Sequence, residues 1–176
     1  KPLLELIDGE PLYDDRLVDL ARHVSSTYLC APGEVFAAAM PSADRPSPRY
    51  RIPLDRNEEG AKALTAEQET VISAILEEYA SGRTGHLLFG VTGSGKTEVY
   101  ISLARHFLQM GRSVLYLVPE ISLSSQIFER LYNSFGDELV IYHSRLTAAQ
   151  RLHNWGRFYR GESKIAIGTR SAVFMQ

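Results

Sequence analysis

Cysteine is scarce in this sequence. Cys30 stands alone among 176 residues, so no disulfide closes within the chain and no cysteine-cluster zinc site can be built from it. A lone thiol fits a reducing cytoplasm and reads as a small apolar packing group. Long apolar runs are lacking as well. None approaches the roughly 20 residues that a membrane-spanning helix needs, and no membrane partner is expected. No secretory signal is visible, because the opening Lys1-Pro2-Leu3-Leu4-Glu5 soon turns acidic. The first residue is not Met, so a piece of a longer chain is expected. Internal repeats and low-complexity tracts are also missing. What remains is the composition of a packed soluble domain, 44% hydrophobic and 23% charged.

The net charge of −2 says nothing for nucleic acid, but its distribution is uneven. From His143 onward, Arg145, Arg151, Arg157, Arg160, Lys164 and Arg170 face a single acid, Glu162. Residues 1–30 lean acidic through Glu5, Asp8, Glu10, Asp14, Asp15 and Asp19. A basic segment in a neutral chain is either a footprint for a phosphate backbone or a solvated helix face.

Three units follow from the pattern. Residues 1–41 read as a small helical unit, with Leu17, Leu20, Ala21, Val24 and Tyr28 at helical spacing on one face. Asp14 or Asp15 can cap that helix, Pro32-Gly33 breaks it, and a short helix is expected at 34–40. Residues 42–63 read as a linker rich in proline, with a short extended segment at Arg49-Tyr50-Arg51-Ile52. Residues 64–176 alternate helix and strand. Thr65-Ala66-Glu67-Gln68 is a capping box, and Val71, Ile72, Ile75, Leu76 and Tyr79 form the buried face of the helix behind it. Strands are expected at 86–89, 113–118, 139–142 and 164–167. Helices are expected at 96–110, at 122–135, and behind a second capping box, Thr147-Ala148-Ala149-Gln150, carrying Leu152, Trp155 and Tyr159. Such alternation implies an α/β fold with a parallel sheet and right-handed crossovers. Trp155 and Tyr28 read as core residues.

The sharpest motif is Gly90-Val91-Thr92-Gly93-Ser94-Gly95-Lys96-Thr97, which meets G-x-x-x-x-G-K-[ST]. Such a loop wraps a polyphosphate with backbone N–H groups, so side chains would obstruct it, and Gly93 and Gly95 leave room. The helix behind it points its positive end at the anion. Lys96 would neutralise the β- and γ-phosphates of ATP, and the Thr97 hydroxyl would serve its Mg²⁺. Gln68 either completes its capping box or reads adenine with its amide. Hydrolysis also needs an acidic residue for Mg²⁺, expected on an apolar strand ending in Asp-Glu. Asp137-Glu138 precedes a strand instead, and no such strand is found up to Gln176.

Five segments together resemble the PriA family of primosomal replication-restart helicases, in superfamily 2. They are Leu64 to Gln68, the phosphate loop with Glu98-Val99-Tyr100, the run from Leu117-Val118-Pro119-Glu120-Ile121 to Gln126, His143-Ser144, and Gly168-Thr169-Arg170-Ser171-Ala172 with Val173-Phe174. Residues 1–41 resemble the end of that family's N-terminal DNA-binding domain. The resemblance implies a RecA-like phosphate-loop lobe, a partial first helicase lobe, preceded by that helical piece. It implies ATP-driven 3′ to 5′ movement on forked or single-stranded DNA, with primosome and single-strand-binding proteins as partners. Lys96, Thr97, Glu98 and Gln68 would surround ATP and Mg²⁺. Pro119, Glu120 and Gln126 would face DNA, and Thr169, Arg170 and Ser171 would touch its backbone. The winged-helix domain usual between the two units has no counterpart in residues 42–63. The family's zinc-binding insert and second lobe would lie beyond Gln176, so zinc is expected only there. The chain alone is expected to bind nucleotide weakly and not to unwind DNA.

The strand-end position of residues 168–171 independently favours a ligand contact, against a helix cap with a surface arginine. His143 reads first as a structural hydrogen-bonder. Two other classes stay open. A small-molecule kinase would place a substrate pocket after the second strand, where Leu117-Val118-Pro119-Glu120 instead runs into a helix. A non-catalytic DNA- or protein-binding module would keep the loop as a vestige.

Overall fold

The computed structural model describes residues 14–40, 63–119 and 125–175. The linker with its segment 49–52, residues 1–13, and Glu120 with residues 121–124 lie outside them.

Asp14 starts the first helix by accepting the Leu17 N–H at 2.8 Å, and so caps α1 (Asp15–Tyr28). Leu17 and Ala21, one turn apart, are buried. The helix ends at Leu29, whose φ of 52° is left-handed, a conformation that terminates helices but strains a residue with a side chain. Pro32 does not break this helix, as the sequence suggested. It sits at the first position of α2 (Pro32–Ala39), where a missing N–H costs nothing. The two helices lie together, and α2 also touches the turn behind the last strand. Tyr28 departs from expectation: it is 75% exposed, because it falls on the last turn of α1, beyond the buried positions.

In the second unit the capping box at Thr65 and Gln68 is complete, and it starts α3 (Ala66–Ala80). Ile72 is buried, while Val71, Ile75, Leu76 and Tyr79 are half-buried. Tyr79 meets Phe107 edge-on at 4.9 Å, which seats α3 against α4 (Lys96–Gln109).

Three strands form the sheet: β1 (Val114–Leu117), β2 (Leu139–Tyr142) and β3 (Ile165–Gly168), all parallel in the order β1-β3-β2. Helix α5 (Ser125–Phe135) leads into β2, and α6 (Ala148–Tyr159) leads into β3. Alternation along the strands divides the core into two faces. Leu139, Ile141, Ile165 and Ile167 pack with Ile101, Leu131 and Phe135 on one side. Val140, Tyr142 and Ala166 pack with Trp155, Phe158, Ala172 and Met175 on the other. Trp155 is a core residue, as expected. The second capping box, at Thr147 and Gln150, is also complete.

One expected strand is not formed. Residues 86–89 carry no strand pairing, and Leu87 and Phe89 are each 91% exposed. An apolar run becomes a strand only with a ladder partner for its backbone groups. Among the described residues nothing pairs with this run, and β1 pairs with β3 alone. The chain is thus an α/β unit with a small parallel sheet, preceded by a helical piece.

Candidate nucleotide site and strand-end loops

The loop at 90–97 has the backbone its glycines permit. Gly93 and Gly95 take φ of 83° and 81°, where a side chain would be strained. A Cβ at Gly95 would also collide with the Gln68 amide. Helix α4 begins at Lys96 with Gly95 as its N-cap and with no side-chain cap. Helices α1, α3 and α6 all have one. The first amides of α4 are therefore left for another acceptor, and they carry the positive end of a fourteen-residue helix dipole. This donor set fits a polyphosphate.

Lys96 is turned onto its own loop. Its Nζ donates to the Gly90 carbonyl at 2.6 Å and to the Val91 carbonyl at 2.7 Å. The loop turn is closed by Ser94 N–H to the Val91 carbonyl at 3.2 Å. Gly90 and Thr97 are half-buried, whereas Val91, Thr92 and Ser94 are exposed. Gln68 does two things. Its Oε1 accepts the Thr65 N–H at 3.0 Å, and its Nε2 donates to the Gly95 carbonyl at 3.4 Å. The amide that completes the cap thus also ties α3 to the phosphate loop.

Glu98, one residue past Thr97, is engaged away from the loop. Its Oε1 accepts from Arg130 Nε on α5 at 2.7 Å, with both side chains 19% exposed. Arg130 carries no signal in the sequence, because a pair 32 residues apart has no local period. The contact joins the first turn of the loop helix to the helix that follows residues 119–124.

Of the other expected residues, Pro119 follows the carboxyl end of β1, and Thr169, Arg170 and Ser171 follow that of β3. Pro119 is exposed just past β1, Gln126 is exposed on α5, and Glu120 lies outside the described residues. Behind β3, Thr169 donates its N–H to the Tyr142 carbonyl at 3.2 Å and accepts from Ala172 N–H at 2.8 Å. A Cβ at Gly168 would overlap both the Tyr142 carbonyl and Ala172, so glycine is required for this turn to pack against β2. Thr169 is only 2% exposed. Its side chain is therefore enclosed, which corrects the expectation that it touches backbone phosphates. Arg170 is exposed and Ser171 half-buried, so these two face outward.

His143, at the end of β2, accepts the Arg145 N–H on Nδ1 at 3.1 Å. It is the structural hydrogen-bonder that its position suggested. Burial lowers its pKa, and the Arg145 charge lowers it further. His153 is lowered by burial and then by Arg157 and Arg160.

With this geometry in hand, relatives place the chain. A model of DEAD/DEAH box helicases matches residues 65–175, and a model of a 3′ DNA-binding domain matches residues 1–41. The chain belongs to the DEAD/DEAH box helicase family. Among individual proteins it is similar to the replication restart protein PriA of Treponema pallidum, 37% identical over 176 residues, covering 99% of this chain and 26% of that protein. It is also similar to the PriA of Haemophilus influenzae, 45% identical over 120 residues, covering 68% and 16%. The PriA of Borreliella burgdorferi is 28% identical over 181 residues, covering 99% and 27%. The chain spans at most about a quarter of the length of these relatives.

Two outcomes follow. Arg130→Met should destabilise the chain by about 1–3 kcal/mol in urea unfolding, since it strands a half-buried carboxylate. The double variant with Glu98→Gln should cost less than the sum of the single changes. For His143 and His153 the folded pKa lies below the unfolded value of about 6.5, so the unfolded state binds more protons at acid pH. Their contribution to stability is present above about pH 6.5 and is lost as pH falls through the folded values. Unfolding midpoints should drop between pH 7 and pH 5, and His143→Gln should shrink that drop.

Proposed function

We propose that this chain is the ATP-binding portion of a DNA helicase acting in replication restart. The observation that carries the reading is the uncapped amino end of α4 behind a doubly left-handed glycine loop, with Lys96 at its mouth. The 3′ DNA-binding domain match and the similarity to replication restart proteins support DNA as the substrate class. Lys96 and Thr97 would hold the phosphates and Mg²⁺, and the loop from Gly90 to Gly95 would supply amides. Magnesium ATP, when bound, supplies a phosphoanhydride whose cleavage powers movement. To receive it, Lys96 must leave the Gly90 and Val91 carbonyls and turn to the phosphates. Gln68 would keep Oε1 on the cap, and its Nε2 would leave the Gly95 carbonyl to turn toward a base. Glu98 would support the site through Arg130 rather than touch the nucleotide. Arg170, Ser171, Pro119 and Gln126 would line the path of DNA, single-stranded or forked. Primosome and single-strand-binding proteins would be the partners, and the bacterial cytoplasm the setting.

A second reading, a DNA- or protein-binding module with a vestigial loop, is favoured by one observation: the Lys96 charge is already satisfied within its own loop. Equilibrium binding of a fluorescent ATP analogue separates the two. Lys96→Ala should weaken binding tenfold or more, the loss of a charge-assisted contact, and should leave the thermal midpoint near that of the parent. Equal affinity in the parent and the variant would leave the module reading standing instead. ATP hydrolysis by this chain alone, stimulated by DNA, would contradict the expectation that it binds without turning over.

A further inference from the structure

Glu98 is the third residue of α4, counted from the Gly95 N-cap. Two other helices show what a side chain at that position does. Gln68, third in α3, turns back so that its Oε1 accepts the Thr65 N–H at 3.0 Å. Gln150, third in α6, accepts the Thr147 N–H in the same way at 2.9 Å. Each covers a backbone amide that its helix cannot satisfy itself. Glutamate is equally suited to that turn, and its charge is drawn to the positive end of a helix. Glu34, third in α2, stays exposed, so turning back is available rather than obligatory.

In α4 the same turn would block the site. The amides at its amino end are those a polyphosphate needs, and no side chain caps them. A carboxylate turned onto them would take their hydrogen bonds and repel the phosphates as well. A distant partner keeps Glu98 away. Arg130 Nε, on α5, donates to Glu98 Oε1 at 2.7 Å, and both side chains are 19% exposed. At that depth water competes little for either charge, so the pair holds more firmly than one on the surface. Lys96, the cation nearest in sequence, is turned onto the Gly90 and Val91 carbonyls instead.

We propose that Arg130 is a positioning residue for the nucleotide: it holds the Glu98 carboxylate off the amino end of α4, where that carboxylate would compete with the phosphates. Glu98 is thus an internal anion kept in reserve, and nucleotide affinity depends on where α5 stands. The inference rests on the nucleotide reading above and adds a control of that same site. Arg130 would touch neither the phosphates nor Mg²⁺, and acts through Glu98.

Equilibrium binding of a fluorescent ATP analogue with Mg²⁺ tests it, at a temperature where circular dichroism shows each variant folded. Arg130→Met should weaken binding roughly three- to tenfold, because the released carboxylate occupies the amides. Adding Glu98→Ala to Arg130→Met should restore binding to within about twofold of the parent, since the competitor is gone. Glu98→Ala alone should bind about twofold tighter than the parent, because an acid beside Thr97 is removed and the Arg130 cation stays. A pair that served only to brace α4 against α5 gives the opposite pattern, with the double variant no tighter than Arg130→Met. That result overturns the inference. If Arg130→Met does not fold, Arg130→Gln replaces it. If neither folds, Glu98→Ala decides alone: tighter binding supports the inference, and equal or weaker binding overturns it. Should the parent bind and Lys96→Ala not, while Glu98→Ala rescues nothing, the nucleotide reading stands and this inference fails. If the parent chain does not bind the analogue, both fall together.

Discussion

Strand β3 is paired on both sides, and Ile165, Ala166 and Ile167 have no exposure. That double pairing fixes the register of β1 and β2, and so the heights at which their following loops emerge. The apolar demand on both faces is met from different helices, with α4 and α5 supplying one core and α6 the other. Gly168 then permits the turn of residues 170–174 to fold back onto Tyr142. Charge follows from this architecture. Bases stand at both ends of the sheet, Arg112, Arg157, Arg160 and Lys164 toward the amino ends and Arg145 and Arg170 toward the carboxyl ends.

The phosphate loop obeys a separate constraint. A helix whose N-cap is a left-handed glycine cannot cap itself with a side chain, so α4 keeps its first amides for an anion. The Lys96 ammonium is held meanwhile by two carbonyls of the loop, which keeps the charge solvated by protein and poised at the mouth. Gln68 ties the loop to α3, and Glu98 ties its helix to α5. A nucleotide that rearranges the loop therefore pulls on two helices, one of which continues from the segment expected to meet DNA.

Much of this was legible in the sequence because the signals were local. The two capping boxes, the glycine loop and the continuous apolar runs of β2 and β3 each depend on residues within one turn or one strand. The misreadings share a different cause. An apolar run such as 86–89 looks the same with or without a ladder partner, so the expected strand had no warrant beyond composition. Tyr28 fits a helical period that outlasts its packing surface. Thr169 belongs to a phosphate-binding type of residue, yet the tight turn at Gly168 encloses it. The basic stretch was counted along the chain, whereas strand direction divides it in space. Arg130 could not be found at all, since its partner is two elements away.

The central claim is that the loop from Gly90 to Glu98 yields its lysine to a nucleotide. Amide hydrogen exchange across residues 90–98, with and without magnesium ATP at millimolar concentration, tests it most directly. The account predicts slower exchange at the amides of residues 93–97 and a smaller change at residues 126–130, reached through Glu98 and Arg130. Unchanged exchange at the loop under saturating nucleotide would contradict it.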